Sequence, residues 1–186
     1  MAAPAIDVRR WTREEYEHLV EQGFFGPEER LELVDGIIYE MTPQKSGHAA
    51  GVRLAHRALE QMFPEGFDVR GQMPLALSPT SEPEPDLSVV TGSPRDYVKG
   101  HPTSAVLVIE VSDSTLPRDR SKQKLYAEAG IPDSWILNLI DGCLEVRRDP
   151  DPELGTYRTQ FVLRAGDRVS PLARPEASIA VEDLLP

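Results

Sequence analysis

Apolar positions recur with different rhythms along this chain, and each change of rhythm marks an element. Thr12 and Glu15 form a capping-box pattern, and Tyr16, Leu19 and Val20 give the helix behind it one apolar face, ended by Gly23. Residues 31–40 are two short apolar runs around Asp35-Gly36, the signature of a β-hairpin. From Ser46, the positions His48, Val52, Ala55, Leu59 and Met62 line one face of a longer helix. Residues 67–77 read as extended, 78–85 as a proline-containing loop and 87–91 as a short strand. The β-branched run at 105–111 predicts a strand buried on both faces. Asp119 is placed to cap a helix running to Ala129, before Gly130 and Pro132 stop it. A buried strand over 134–140 turns at Asp141-Gly142 into 143–148. Extended segments at 157–163 and near Ile179 close the chain. Helices and strands alternate through the centre with hairpins at both ends, which predicts an α/β protein with a mixed sheet flanked by helices.

The chain has 186 residues, with 20 Lys+Arg against 31 Asp+Glu and a formal net charge of −11. That length and composition fit one soluble domain over residues 1–186, with 1–10 expected as a loosely ordered N-terminal segment. No apolar run is long enough to span a bilayer, and no signal-peptide pattern opens the chain, so a cytoplasmic protein without a membrane partner is expected. The single cysteine, Cys143, excludes an internal disulfide and a cysteine-based zinc cluster. An acidic balance argues against bulk electrostatic capture of nucleic acid, so a function on DNA would need local positive charge.

Two carboxylates break the apolar pattern. Strand alternation puts Glu110 on one face with Val106 and Val108, where an unpaired charge would be costly. Asp86 opens the preceding strand behind Pro85. A strand-end glutamate reaching water and a turn aspartate are the simpler readings of each alone. Together, on neighbouring strands, they make an oxygen-rich site suited to a hard cation such as Mg²⁺. Arg118, Arg120, Lys122 and Lys124 then supply positive charge at the start of the next helix, and Lys122 lies one turn from Tyr126. A solvated helix face is the plain alternative for this run.

At these residues the chain resembles the Uma-two family of restriction endonucleases, part of the PD-(D/E)XK nuclease superfamily. The resemblance rests on an ordered set: Glu32-Leu-Val-Asp-Gly36, Ser46-Gly-His48, Pro85-Asp86, Glu110-Val-Ser-Asp-Ser-Thr115, Asp119 with Lys122, Tyr126 and Gly130, and Trp135-Ile-Leu-Asn. It implies a restriction-endonuclease-like core with a β extension at the C-terminus, Asp86 and Glu110 as metal-binding catalytic acids, and Lys122 as the active-site lysine. The superfamily's lysine position two residues after the glutamate is Ser112 here, so the lysine would come from the helix. Counting back from Tyr126 gives Lys122, whereas counting forward from the serine cluster leaves Lys124 as a rival. Glu32 and His48 match further family positions. A hairpin-strand glutamate and a helix-face histidine remain their structural alternatives.

The function so implied is Mg²⁺- or Mn²⁺-dependent hydrolysis of DNA phosphodiester bonds, with Arg118 and Arg120 as nucleic-acid contacts. Since cutting both strands takes two sites, a homodimer or dimer of dimers is expected. Two other readings compete: a catalytically silent interaction module with a nuclease-like fold, and a hydrolase of small phosphoesters.

Overall fold

Local signals start the chain's path. Thr12 accepts the Glu15 N–H at 3.2 Å and Glu15 accepts the Thr12 N–H at 3.0 Å, closing the capping box of α1 (Arg13–Glu21). Strands β1 (Leu31–Val34) and β2 (Ile37–Glu40) form a separate antiparallel pair. Their turn residues Asp35 and Gly36 both have positive φ, 50° and 73°, as a tight two-residue hairpin requires. A side chain at position 36 is excluded twice over, because its Cβ would sit 2.7 Å from Arg10 Cβ. The computed structural model describes residues 8–26, 28–41 and 43–186. Residues 1–7 of the expected N-terminal segment lie outside these, and Arg10 within it is tied to the hairpin through the Asp35 carbonyl at 2.9 Å.

The centre is a six-stranded sheet in the order β3-β4-β5-β6-β7-β8, formed by Phe67–Gly71, Leu87–Thr91, Leu107–Ser112, Asp133–Asn138, Cys143–Asp151 and Thr156–Arg164. Only β5 and β6 run parallel. Helix α3 (Leu116–Glu128) is the crossover between them, as a parallel pair needs. Helix α2 (Ser46–Met62) covers one face, where Ala55, Leu59 and Met62 meet Leu107, Ile109, Val111 and Trp135. Gly51 lets that helix approach closely, since a Cβ there would lie 3.1 Å from Val111. Val108 packs with Tyr126 of α3 in a second cluster, so β5 alternates between the helices as its sequence indicates. A small pair, β9 (Arg168–Val169) and β10 (Ile179–Ala180), brings Val181 and Leu184 onto the α2 face. No described helix is long and apolar enough to cross a membrane.

Three expectations need correction. The extended segment 67–77 is a strand only to Gly71, because Gln72 turns it with φ 52°. Beyond it, Leu75 and Ala76 donate to the carbonyls of Pro83 and Pro102, whose ring nitrogens cannot complete a ladder. The helix expected from Asp119 starts three residues earlier, after Thr115. Pro117 fits its first turn, where a missing N–H costs nothing, and Asp119 accepts the Thr115 hydroxyl at 2.6 Å. The strand expected to reach Ile140 stops at Asn138, whose side-chain oxygen takes the N–H groups of Ile140 and Asp141, both at 3.1 Å.

Candidate active site

Asp86 and Glu110 interlock across β4 and β5. These strands are antiparallel, with Leu87 opposite Ile109, so the residue entering one lies beside the residue leaving the other. Asp86 Oδ2 accepts the Val111 N–H at 2.8 Å, while Glu110 Oε2 faces the Asp86 N–H at 3.4 Å. His48, from the first turn of α2, places Nε2 3.1 Å from Asp86 Oδ2, and Gln72 Nε2 reaches Asp86 Oδ1 at 3.3 Å. Glu110 is 3% exposed, and its Oε1 accepts the Tyr126 hydroxyl at 2.5 Å.

Lys122 completes the constellation from α3. Its Nζ lies 3.3 Å from Glu110 Oε1 and 2.9 Å from Glu32 Oε2. Tyr126 stands one turn further along the same face, so lysine and tyrosine converge on one carboxylate oxygen. Glu32 is delivered by the hairpin, which is anchored to the loop before β4 by a bridge between Leu33 and Glu82. Its buried carboxylate also accepts from Arg118 at 2.5 Å and from the Glu84 N–H at 3.1 Å. Arg118 spreads over the Tyr39 ring, 5.1 Å from its centroid. Polar groups occupy so much of the α3 inner face that this helix has little apolar periodicity: Asp119, Lys122 and Gln123 are all buried there.

These groups line a cavity of about 70 Å³ that carries more negative than positive charge. Its walls hold six carboxylates (Glu32, Glu84, Asp86, Glu110, Asp113 and Asp119) against four cations (Arg30, Lys45, Arg118 and Lys122). Proton affinities in the cavity are shifted, first of all by burial. Burial pushes Glu110 well above the ordinary glutamate range, and Asp86 adds to the shift against the opposing Lys122 charge. Glu84 and Asp119 are raised as well, chiefly by burial. For Lys122 burial favours discharge, but Glu110 and Glu32 outweigh it and hold the ammonium above the ordinary lysine range. Lys122 is thus held in its ammonium form, able to donate hydrogen bonds into the cavity. Burial also opposes charge on His48, and Asp86 overcomes it to raise that pKa.

The structure brings together Asp86, Glu110, Lys122, Glu32, His48 and Arg118. Lys124 is not among them: its side chain is 64% exposed and pairs with Glu128 at 3.3 Å. Arg120 also points elsewhere, forming a two-point pair with Glu145 at 2.6 and 3.2 Å. His48 and Glu32 are both engaged with the acids and the lysine, so their helix-face and hairpin-strand positions deliver them to the site. Sequence reading missed Gln72, Glu84, Asp113 and Asp119 as site residues. Glu84 had a readable signal, because prolines on both sides fix its direction immediately before Asp86. Asp119 precedes Lys122 by one turn, a spacing that serves a cap and a site equally.

The donor chemistry fits a hard divalent cation. Among the described residues no group of three or more His, Cys, Asp or Glu side chains is arranged to hold a metal ion. Mg²⁺ needs no more than one or two carboxylates, with waters completing its shell. The excess negative charge of the cavity and the raised pKa of Glu110 are what such a cation would relieve.

The architecture is that of a nuclease-like α/β fold. A protein from Anabaena variabilis, described as a "putative nuclease belonging to DUF820", superposes with a TM-score of 0.70 at 15% identity, over 93% of this chain and 96% of its own. No curated protein matches the sequence. The Uma2 family model, described as "Putative restriction endonuclease", matches residues 13–182. The chain belongs to the Uma2 family.

Proposed function

We propose that this protein is a Mg²⁺-dependent endonuclease hydrolysing DNA phosphodiester bonds. The observation carrying this reading is the interlocked Asp86–Glu110 pair, beside a lysine held as an ammonium, in a small cavity with surplus negative charge. Asp86 and Glu110 would hold the cation, which when bound supplies Lewis-acid stabilisation of phosphate charge and a more acidic water. Asp86 is oriented for that role by the Val111 N–H and by His48. Tyr126 fixes the Glu110 carboxylate by donating its hydroxyl hydrogen. Lys122 donates a hydrogen bond to a phosphate oxygen and stabilises the charge developing there, keeping its own proton. Glu32 positions that ammonium, and Arg118 brings positive charge to the cavity mouth.

Cavity size favours a polymer over a small phosphoester. Sites that engulf small molecules measure roughly 300 Å³ or more. About 70 Å³ suits a phosphate group entering with a few waters. One observation favours the silent-module alternative: Lys122 is ion-paired to two glutamates, as a structural lysine would be. The two readings part in a plasmid assay. Supercoiled DNA should be nicked or linearised in Mg²⁺ or Mn²⁺ but not in EDTA, and Glu110→Gln should abolish the cleavage. Intact plasmid in every metal would favour the silent module. We also propose a cytoplasmic homodimer or dimer of dimers as the working form, because a double-strand break needs two such sites. Light scattering that finds a monomer at micromolar concentration would remove that part.

A further inference from the structure

A second cavity adjoins the acidic one, and its chemistry is the opposite. It measures about 270 Å³, roughly four times the acidic cavity, and is walled by Tyr16, Val20, Phe25 and Leu31. Arg30 and Glu84 line both cavities, facing each other across 3.7 Å, so they form the partition between them. Tyr16 is fixed by donating its hydroxyl to the Leu31 carbonyl at 3.0 Å. Its ring lies 6.1 Å from Phe25, and Phe24, 72% exposed, meets Phe25 edge-on at 5.4 Å. Single exposed apolar residues are ordinary on protein surfaces. Here the apolar group is an aromatic-walled cavity one partition away from the carboxylates.

We propose that this aromatic cavity is a subsite for one unpaired nucleobase of the DNA strand, flanking the scissile phosphodiester. The proposal rests on the nuclease reading and extends it to how the strand is held. Tyr16 is itself buried, so the half-buried Phe25 ring is the face this wall offers to a flat heterocycle, as sequence-tolerant single-strand binders hold bases. Arg30, Glu29 and Glu84 at the rim supply a donor and acceptors for a base edge. Sequential placement fits as well, since a phosphate in the acidic cavity leaves the attached nucleoside beside the Arg30–Glu84 partition. A paired base cannot enter without leaving its stack, so the strand must be single or locally opened. Stacking also answers the charge objection. A protein with net charge −11 gains little from phosphate contacts overall, and base stacking supplies affinity that owes nothing to surface charge.

The test uses fluorescein-labelled single-stranded deoxyoligonucleotides, one with every base present and a series with a single abasic position moved along the strand. Cleavage is followed in Mn²⁺ and binding by anisotropy in Ca²⁺, with wild type and Phe25→Leu, a variant that keeps apolar bulk without the aromatic face. Removing the base at one position beside the cut should weaken binding roughly tenfold. Phe25→Leu should weaken binding of the intact strand by a similar factor and leave that abasic strand unchanged. If wild type cleaves every abasic strand as well as the intact one, the subsite is wrong and the nuclease reading stands. If no oligonucleotide is bound or cut while supercoiled plasmid is still cleaved in Mn²⁺, the subsite is wrong and the nuclease reading stands; if neither plasmid nor oligonucleotide is cut in any metal, the nuclease reading fails and takes the subsite with it. The wild-type abasic series decides the matter even if Phe25→Leu does not fold.

Discussion

Glu110 and Glu145 stand in one row across the sheet with Ile136 between them, and α3 supplies a cation to each. Both are buried, yet their proton affinities move in opposite directions. For Glu145 burial is overcome by Arg120, Arg147 and Asn138, and the pKa falls to about 2. For Glu110 burial and the nearby Asp86 charge prevail over Lys122, and the pKa rises. The difference lies in what the fold provides around each carboxylate. Glu145 is closed off by two guanidinium groups and an amide, as a structural acid should be. Glu110 shares one ammonium with Glu32 and faces a cavity of like charge, leaving a deficit that a ligand can fill.

The largest expected effect breaks this comparison by exchanging the roles. Glu110→Gln should lower metal-dependent cleavage by at least about a hundredfold while folding normally, since the variant removes a poorly compensated buried charge. Glu145→Gln should do the reverse. Cleavage should be nearly unchanged, and stability in a urea titration should fall by about 1–3 kcal/mol as Arg120 and Arg147 lose a charged acceptor.

Next in size is the pair of lysines on α3. Lys122→Met leaves Glu32 and Glu110 buried without their shared cation, and should cost about 3–5 kcal/mol in stability as well as the activity. Lys124→Met loses only an exposed pair and should change stability by less than about 0.5 kcal/mol. Equal effects of the two substitutions would reopen the choice between them.

Much of this contrast was legible in the sequence, and the parts that were not share a cause. Alternation along β5 marked Glu110 as out of place, and the spacing from Tyr126, read with the family resemblance, pointed to Lys122 while leaving Lys124 as a rival. Both signals are local. Glu32, Glu84 and Asp119 come to the same cavity only because the hairpin folds back on the loop before β4 and α3 begins a turn early. No spacing rule encodes that closure. Arg120 illustrates the limit from the other side: its neighbours in sequence suggested a DNA contact, but Glu145, two strands away from Glu110, holds it. The strand expected over 67–77 failed for a similar reason: past the turn at Gln72, the carbonyls that Leu75 and Ala76 meet belong to prolines in two other segments of the chain.

A smaller effect sharpens the comparison through pH. The folded pKa of Glu145 is depressed from 4.5 to about 2, so its stabilisation is complete above pH 4.5 and is lost as pH falls toward 2. Urea titrations at descending pH should show wild type losing stability through that window more steeply than Glu145→Gln. Parallel curves for the two proteins would mean that Glu145 is not the compensated acid of the pair.

The central claim is that Asp86 and Glu110 hold a divalent cation, and melting with and without Mn²⁺ tests it most directly. A ligand that binds only the folded state raises the melting temperature by mass action. Mn²⁺ should raise the melting temperature of wild type and leave that of Glu110→Gln nearly unmoved, with the metal-free proteins about equally stable. A Glu110→Gln protein that is clearly destabilised without metal, and responds to Mn²⁺ as wild type does, would contradict the account and make Glu110 a structural partner of Lys122.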